Sequence, residues 1–195
     1  MNLTFVIGLL GSLILVLGAA WPEPKHPKHP VQSLKNWLFA VGGVVMMFYA
    51  ILGYLQGSSI FFVFMQLLIF VSTVLMMLHV DDRIDSVILG ISATIIIIWS
   101  LYLFQGYTTI IFILGLLGIS LGYAFDMGTL RRDLALTIGS LLIAYFSYVE
   151  ANWIFFWLNL FFAIFSGFYL LKRTTREQHK QTTHLRATSK SKKHQ

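Results

Sequence analysis

Polar side chains are scarce inside the apolar runs of this chain, so the few present raise the question of chemistry. Gln66 stands in SSIFFVFMQLLIF and Asn159 in YVEANWIFFWLNL, each with apolar residues on both sides. A side-chain amide both donates and accepts hydrogen bonds. In lipid it is costly unless it faces protein or a water-filled cavity. Two such amides at mid-depth could grip a neutral solute bearing hydroxyl or amide groups. The other reading is hydrogen bonding between helices, which holds polar residues in many bundles. Tyr49, Tyr123 and Tyr145 are candidates to line the same space, and Trp99 could stack on a ring. Aromatic side chains also pack or mark the membrane interface, so their role stays open.

Other chemistries are poorly provided for. His26 and His29 of KHPKHP are three residues apart. In a polyproline II segment that spacing puts them on one face but about 9 Å apart along the axis. One ion, bound about 2 Å from each ring, cannot join them without a bend. HVDDRID offers His79, Asp81, Asp82 and Asp85, the composition of an ordinary acidic turn at an aqueous interface. The chain has no cysteine, which excludes disulfides, thiolate metal sites and cysteine nucleophiles. The GLLG stretches are no phosphate loop, because no strand precedes them and no Lys-Ser/Thr follows. No catalytic triad or zinc motif occurs, so neither an enzyme nor a metal or cofactor is expected. Asp126 and Glu150 fall at span ends, which leaves no ionisable group near mid-membrane for a carboxylate relay.

The elements that must position these residues follow from composition and charge. Hydrophobic residues are 57% of the 195 and charged residues only 11%, with a mean hydropathy of +0.76. Soluble domains carry about a quarter charged residues, so this chain belongs in a bilayer. Apolar segments fall near 3–21, 36–56, 59–79, 86–104, 108–125, 134–150 and 153–171. Most approach the roughly twenty residues that cross a hydrocarbon core. With seven spans, all fourteen Lys and Arg residues fall on one face: Lys25, Lys28, Lys35, Arg83, Arg131, Arg132 and eight in the tail. The positive-inside rule then predicts an external N-terminus and a cytoplasmic C-terminus. The first span carries no Lys or Arg before its apolar run and reads as a span rather than a signal peptide. The basic tail reads as disordered and resting on anionic lipid headgroups. It lacks the interleaved aromatics of a nucleic-acid binder.

FVIGLLG at 5–11 recurs as FILGLLG at 112–118, an offset of 107 residues. YLQGSSIFF at 54–62 matches YVEANWIFF at 148–156, an offset of 94. The 13-residue difference equals an insertion in the first half, where WPEPKHPKHPVQS stands opposite MGTLRRD. The chain thus reads as an all-α polytopic membrane protein of seven transmembrane helices, two parallel three-helix repeats plus a linker helix. The expected boundaries are 1–80 for the first repeat, with a Pro/His-rich loop at 22–33, 81–107 for the linker, 108–172 for the second repeat and 173–195 for the tail.

In this organisation the sequence resembles the superfamily of SWEET sugar carriers, PQ-loop proteins and bacterial nicotinamide riboside transporters. The resemblance covers roughly residues 5–172 and rests locally on GGVVMMFYAILGYLQGSSIFFVFMQLLIF, on YVEANWIFFWLN leading to Asn159, and on KNW at 35–37. No Pro-Gln pair ends the first or fifth span, which read AAWPEP and YAFDMG. The resemblance implies a transporter that binds its solute between the two repeats. A facilitative carrier of a small neutral polar metabolite, sugar- or nucleoside-like, is therefore expected, with Asn159 and Gln66 at the site. The rival is a non-transporting receptor or scaffold whose basic tail docks lipid or protein. A homo-oligomer remains open.

Overall fold

The computed structural model describes residues 3–21, 31, 33–78, 81–125 and 129–191, apart from the side chains of residues 82 and 176–191. They form seven helices and, among the described residues, no strand. These are α1 (Leu3–Ala20), α2 (Leu34–Leu55), α3 (Phe61–Leu78), α4 (Asp82–Tyr102), α5 (Tyr107–Ala124), α6 (Leu130–Val149) and α7 (Trp153–Ser191). All but α6 are long and apolar enough to cross a membrane. The first turn of α6 carries Arg131, Arg132 and Asp133, which shortens its apolar run. The fold is all-α and polytopic, as the hydropathy requires.

Local chemistry sets the helix ends. Asp81 caps α4 by accepting the Arg83 amide at 2.9 Å, and Thr129 caps α6 by accepting the Arg132 amide at 3.3 Å. α2 and α6 end alike: Ser58 N donates to Gly53 O and Gly57 N to Tyr54 O, while Asn152 N donates to Ser147 O and Ala151 N to Tyr148 O. This pair of bonds is the Schellman helix end, which needs a left-handed residue. Gly57 supplies it at φ 95° and Ala151 at φ 53°. The two turns correspond residue for residue at the offset of 94 seen in the sequence.

The same offsets govern helix packing. In α1 and α2 the close approaches are Gly8 on Tyr49, Gly11 on Val45 and Leu15 on Gly42. In α5 and α6 they are Gly115 on Ile143, Gly118 on Gly139 and Gly122 on Leu136. Each pair of the first set maps onto the second when α1 shifts by 107 residues and α2 by 94. The third pair exchanges its glycine and leucine between helices. Gly43 facing Thr73, from α2 to α3, likewise maps onto Thr137 facing Gly167, from α6 to α7. The two three-helix units therefore share register and contact face, which turn sequence alone did not reach.

Each helix packs on the next, and α7 closes onto α1. α3 also meets α5, leaving α4 at the periphery between them. Its span is the least buried of the six, at 22%. Consecutive helices alternate in direction, so Lys35, Arg83, Arg131, Arg132, Lys172 and Arg173 gather at one end, here called the basic end. The turns 56–60, 103–106 and 150–152 form the opposite end. α7 continues past its apolar span to Ser191, where composition alone predicts disorder. No Gly or Pro occurs after Gly167 to stop it.

Gly139→Ala provides a check on this packing. Its Cβ would stand 2.6 Å from the Ile119 backbone nitrogen, which cannot rotate away. Destabilisation of about 1–3 kcal/mol is expected, read as a lower Tm in detergent. Gly90→Ala, with nothing within 4 Å, should not lower it. Equal Tm values for Gly139→Ala and the wild type would contradict the close approach of α5 and α6.

Candidate functional site: the space between the two units

Three helix faces meet between the units. Phe62, Gln66, Ile69 and Thr73 recur at three- and four-residue spacing on α3 and so share one face. Phe155, Asn159, Phe162 and Ser166 do the same on α7, and Phe39, Gly43, Met46 and Ala50 on α2, with Tyr49 beside them.

Ring contacts fix which faces oppose each other. Phe62 stacks on Phe155 with centroids 4.7 Å apart and planes 1° from parallel. Tyr49 tilts onto Phe155 at 5.3 Å, and Phe39 stacks on Phe162 at 6.2 Å. Yet among the described residues α7 brings no Cα within 8 Å of α2 or α3. Side chains alone bridge this gap. At the opposite end it is filled by Phe61, Phe62, Phe112, Phe146 and Phe155, all fully buried. Phe61 stacks on Phe112 at 4.9 Å, and Phe146 tilts onto Phe62 and Phe112 at 5.3 and 5.2 Å.

Gln66 and Asn159 lie four residues beyond Phe62 and Phe155, on the same faces and one turn nearer the basic end. α3 and α7 run in the same direction. The stacked phenyl pair therefore puts both amides at a similar level, one turn nearer the basic end. Their environments differ. Asn159, 4% exposed, donates from Nδ2 to its own helix at the Phe155 carbonyl, 2.8 Å away. Gln66 is 0% exposed, and neither Nε2 nor Oε1 finds a partner among the described residues. A buried polar group without a partner costs about 1–3 kcal/mol.

The other residues singled out from sequence divide. Tyr49 is half-buried at the closed end and donates its hydroxyl to Asn152 Oδ1 at 2.9 Å, a bond from one unit to the other. Tyr123 packs half-buried against the core, one residue from the basic end of α5. Tyr145 and Trp99 point outward. Trp99 meets Phe64 at 5.8 Å and shares a shallow apolar groove of about 410 Å³ with Ile95, Ile98 and Tyr102. That groove faces the lipid side of α4, where Tyr102 is 85% exposed. The structure thus buries Gln66 and Asn159, half-buries Tyr49 and Tyr123, and leaves Tyr145 and Trp99 half exposed. Phe62, Phe155, Asn152, Thr73 and Gly43 were not singled out from the sequence. Counting one turn either way from the two amides would have reached the phenylalanines.

Charge stays at the ends. Arg173 Nε meets Asp133 Oδ2 at 3.3 Å, tying α7 to the start of α6 at the basic end. At the opposite end Glu150 is half-buried, and burial pushes its carboxyl above the usual range. His26, His29, His79 and Asp126 lie outside the described residues. Asp81 serves as a helix cap, and among the described residues no three His, Asp or Glu side chains converge. Tyr148, Trp153, Phe156 and Trp157 form edge and tilted contacts around the start of α7, as an interfacial aromatic belt does. No protein-family model, curated protein sequence or solved structure matches this chain.

Gln66→Leu should remove the orphaned amide while keeping the volume, and so raise stability by about 1–3 kcal/mol. Thermal unfolding of the purified protein measures this. A Tm below that of the wild type would mean that Gln66 is satisfied within the fold.

Proposed function

We propose that this chain is a membrane transporter that binds a small neutral polar solute between its two three-helix units. The observation that carries this reading is Gln66, fully buried and without a partner among the described residues, on the α3 face whose Phe62 stacks on Phe155 of α7. An amide left this way suits a solute that both donates and accepts hydrogen bonds. The faces around it carry Phe39, Gly43, Met46, Phe62, Thr73, Phe155, Asn159 and Phe162, none of them ionisable. Such a lining favours an uncharged solute moving down its gradient, with no carboxylate to couple a proton or sodium ion. The resemblance to SWEET-like carriers points the same way. The basic end and C-terminus are assigned to the cytoplasm of a bacterial plasma membrane, with the tail on anionic headgroups. The bond from Asn159 to its own helix would serve a non-transporting receptor or scaffold equally well. The bare amide of Gln66 would not.

A thermal-shift screen of the detergent-purified protein with sugars, nucleosides, nicotinamide riboside and amino acids tests the reading. Binding to the folded state must raise its apparent stability by mass action. One solute class should raise the Tm of the wild type but not of Asn159→Ala or Gln66→Leu. No shift with any class, from a folded sample, would move the assignment to the receptor or scaffold reading.

Orientation has its own test, made clean by the absence of cysteine. In intact cells a membrane-impermeant maleimide should label Gln105→Cys and spare Arg131→Cys. The reverse pattern would invert the topology.

A further inference from the structure

The Lys and Arg residues beyond the apolar span of α7 are not spread around the helix. α7 runs unbroken from Trp153 to Ser191, and its apolar run ends at Leu171. From there on the helix carries Lys172, Arg173, Arg176, Lys180, Arg186 and Lys190. At about 100° per residue, these six positions fall within an arc of about 140°. The opposite side, with Thr174, Gln178, Gln181, Leu185 and Ser189, has no Lys or Arg. Glu177, the one acidic residue of the extension, falls at the edge between the two sides. Composition alone makes a basic tail; the continued helix makes a basic stripe.

The stripe leads away from the bilayer. Residues 172–191 rise about 30 Å at 1.5 Å each. No Gly or Pro follows Gly167, so the usual causes of a sharp bend are missing. Lys172 stands 5.9 Å from the centre of the Phe168 ring, and Arg173 pairs with Asp133 at 3.3 Å. These first two cations are held at the bundle, and headgroup contact belongs to them and to Arg176. Lys180, Arg186 and Lys190 follow at about 12, 21 and 27 Å from Lys172 along the axis. A charged surface acts over only about 8 Å at physiological salt, so these three lie beyond the reach of the headgroups.

Alone, the stripe is a burden on its helix. Lys172 and Arg176, Arg176 and Lys180, and Arg186 and Lys190 are each four residues apart, and like charges at that spacing destabilise a helix. The two apolar residues, Leu185 and Ala187, fall on different sides, so no apolar stripe docks the extension. An anion lying alongside would relieve the repulsion, and the spacing indicates its shape. Lys172, Arg176, His179, Thr183, Arg186 and Lys190 succeed one another by alternate steps of four and three residues. That is the line along which a second helix lies. A second copy of this chain would set basic residues against basic ones. A nucleic acid would find no aromatic residue in the extension on which to stack a base.

We propose that the basic stripe of the α7 extension is a docking surface for an acidic helix of a cytoplasmic protein, with Asp or Glu at matching three- and four-residue spacing. It rests on the orientation proposed above and not on any solute.

The full-length protein in nanodiscs of zwitterionic lipid tests this with two synthetic helical peptides of one composition. One peptide carries its glutamates along a single face at three- and four-residue spacing; the other spreads them around the helix. The striped peptide should bind at least about tenfold more tightly, read by fluorescence anisotropy. Lys180→Gln combined with Arg186→Gln should remove that difference. Gln181→Glu combined with Ser189→Glu changes the net charge equally on the opposite side and should preserve it. Equal affinity for the two peptides, or equal loss in both double variants, would overturn the proposal. Tighter binding of duplex DNA than of the striped peptide would overturn it in favour of a nucleic-acid surface. With no native cysteine, Ser191→Cys takes a single environment-sensitive label, whose emission should be the same in zwitterionic and anionic nanodiscs. A blue shift with anionic lipid would lay the extension on the headgroups and overturn the proposal.

Discussion

The close glycine contact within each helix hairpin is the constraint on which the rest depends. Lipid tails are as apolar as leucine, so burying apolar surface does not drive helices together in a bilayer. What does is dispersion between surfaces that approach closely, and side chains hold backbones apart. Between α1 and α2, and again between α5 and α6, every close level has a glycine on at least one helix, and at Gly118 and Gly139 on both. At one level of the hairpin the partners are Leu15 and Gly42 in the first unit, Gly122 and Leu136 in the second. The contact survives an exchange of the two residue types because only their combined volume at that level matters.

Rigid hairpins make it possible for the units to meet loosely. The long contacts lie within the units, whereas α7 keeps its backbone away from α2 and α3. Five phenylalanines fill the resulting gap at the end opposite the basic residues, and a Tyr49–Asn152 hydrogen bond crosses it there. Farther in, the same helix faces turn polar at Gln66, Asn159 and Thr73. Aromatic rings supply contact area without needing partners, so they can close an irregular space. An amide has to be answered. The change from ring to amide falls within one helical turn on both α3 and α7.

Several symmetry departures fall at this interface. Gln66 corresponds to Leu160 and Asn159 to Met65 at the offset of 94. Positions that hold a hairpin together have kept equivalent contacts in both units. Positions that face the other unit have diverged.

The sequence by itself determined that this is an all-helical membrane chain, because its scarcity of charge leaves no other solvent for it. Seven apolar segments were legible from charge sidedness, and their helices begin and end within a few residues of where the segments do. The ends of α6 and α7 were the exceptions. Arg131, Arg132 and Asp133 read as loop but lie in the first turn of α6, since a cap at Thr129 and the basic end of the bundle accommodate them. The tail after residue 172 read as disorder but continues α7. The repeat was legible as two offsets, and Gln66 and Asn159 as buried amides. Tertiary structure decided what those amides face, because rotation about a helix axis in lipid is set by neighbours and not by an apolar stripe. It turned Tyr145 and Trp99 outward and Tyr49 inward. It also distinguished Gly90, beside which a Cβ would meet nothing within 4 Å, from the glycines that close a contact. In sequence all of them are the same letter, and only the distance to the next helix separates a glycine that packing requires from one that it does not.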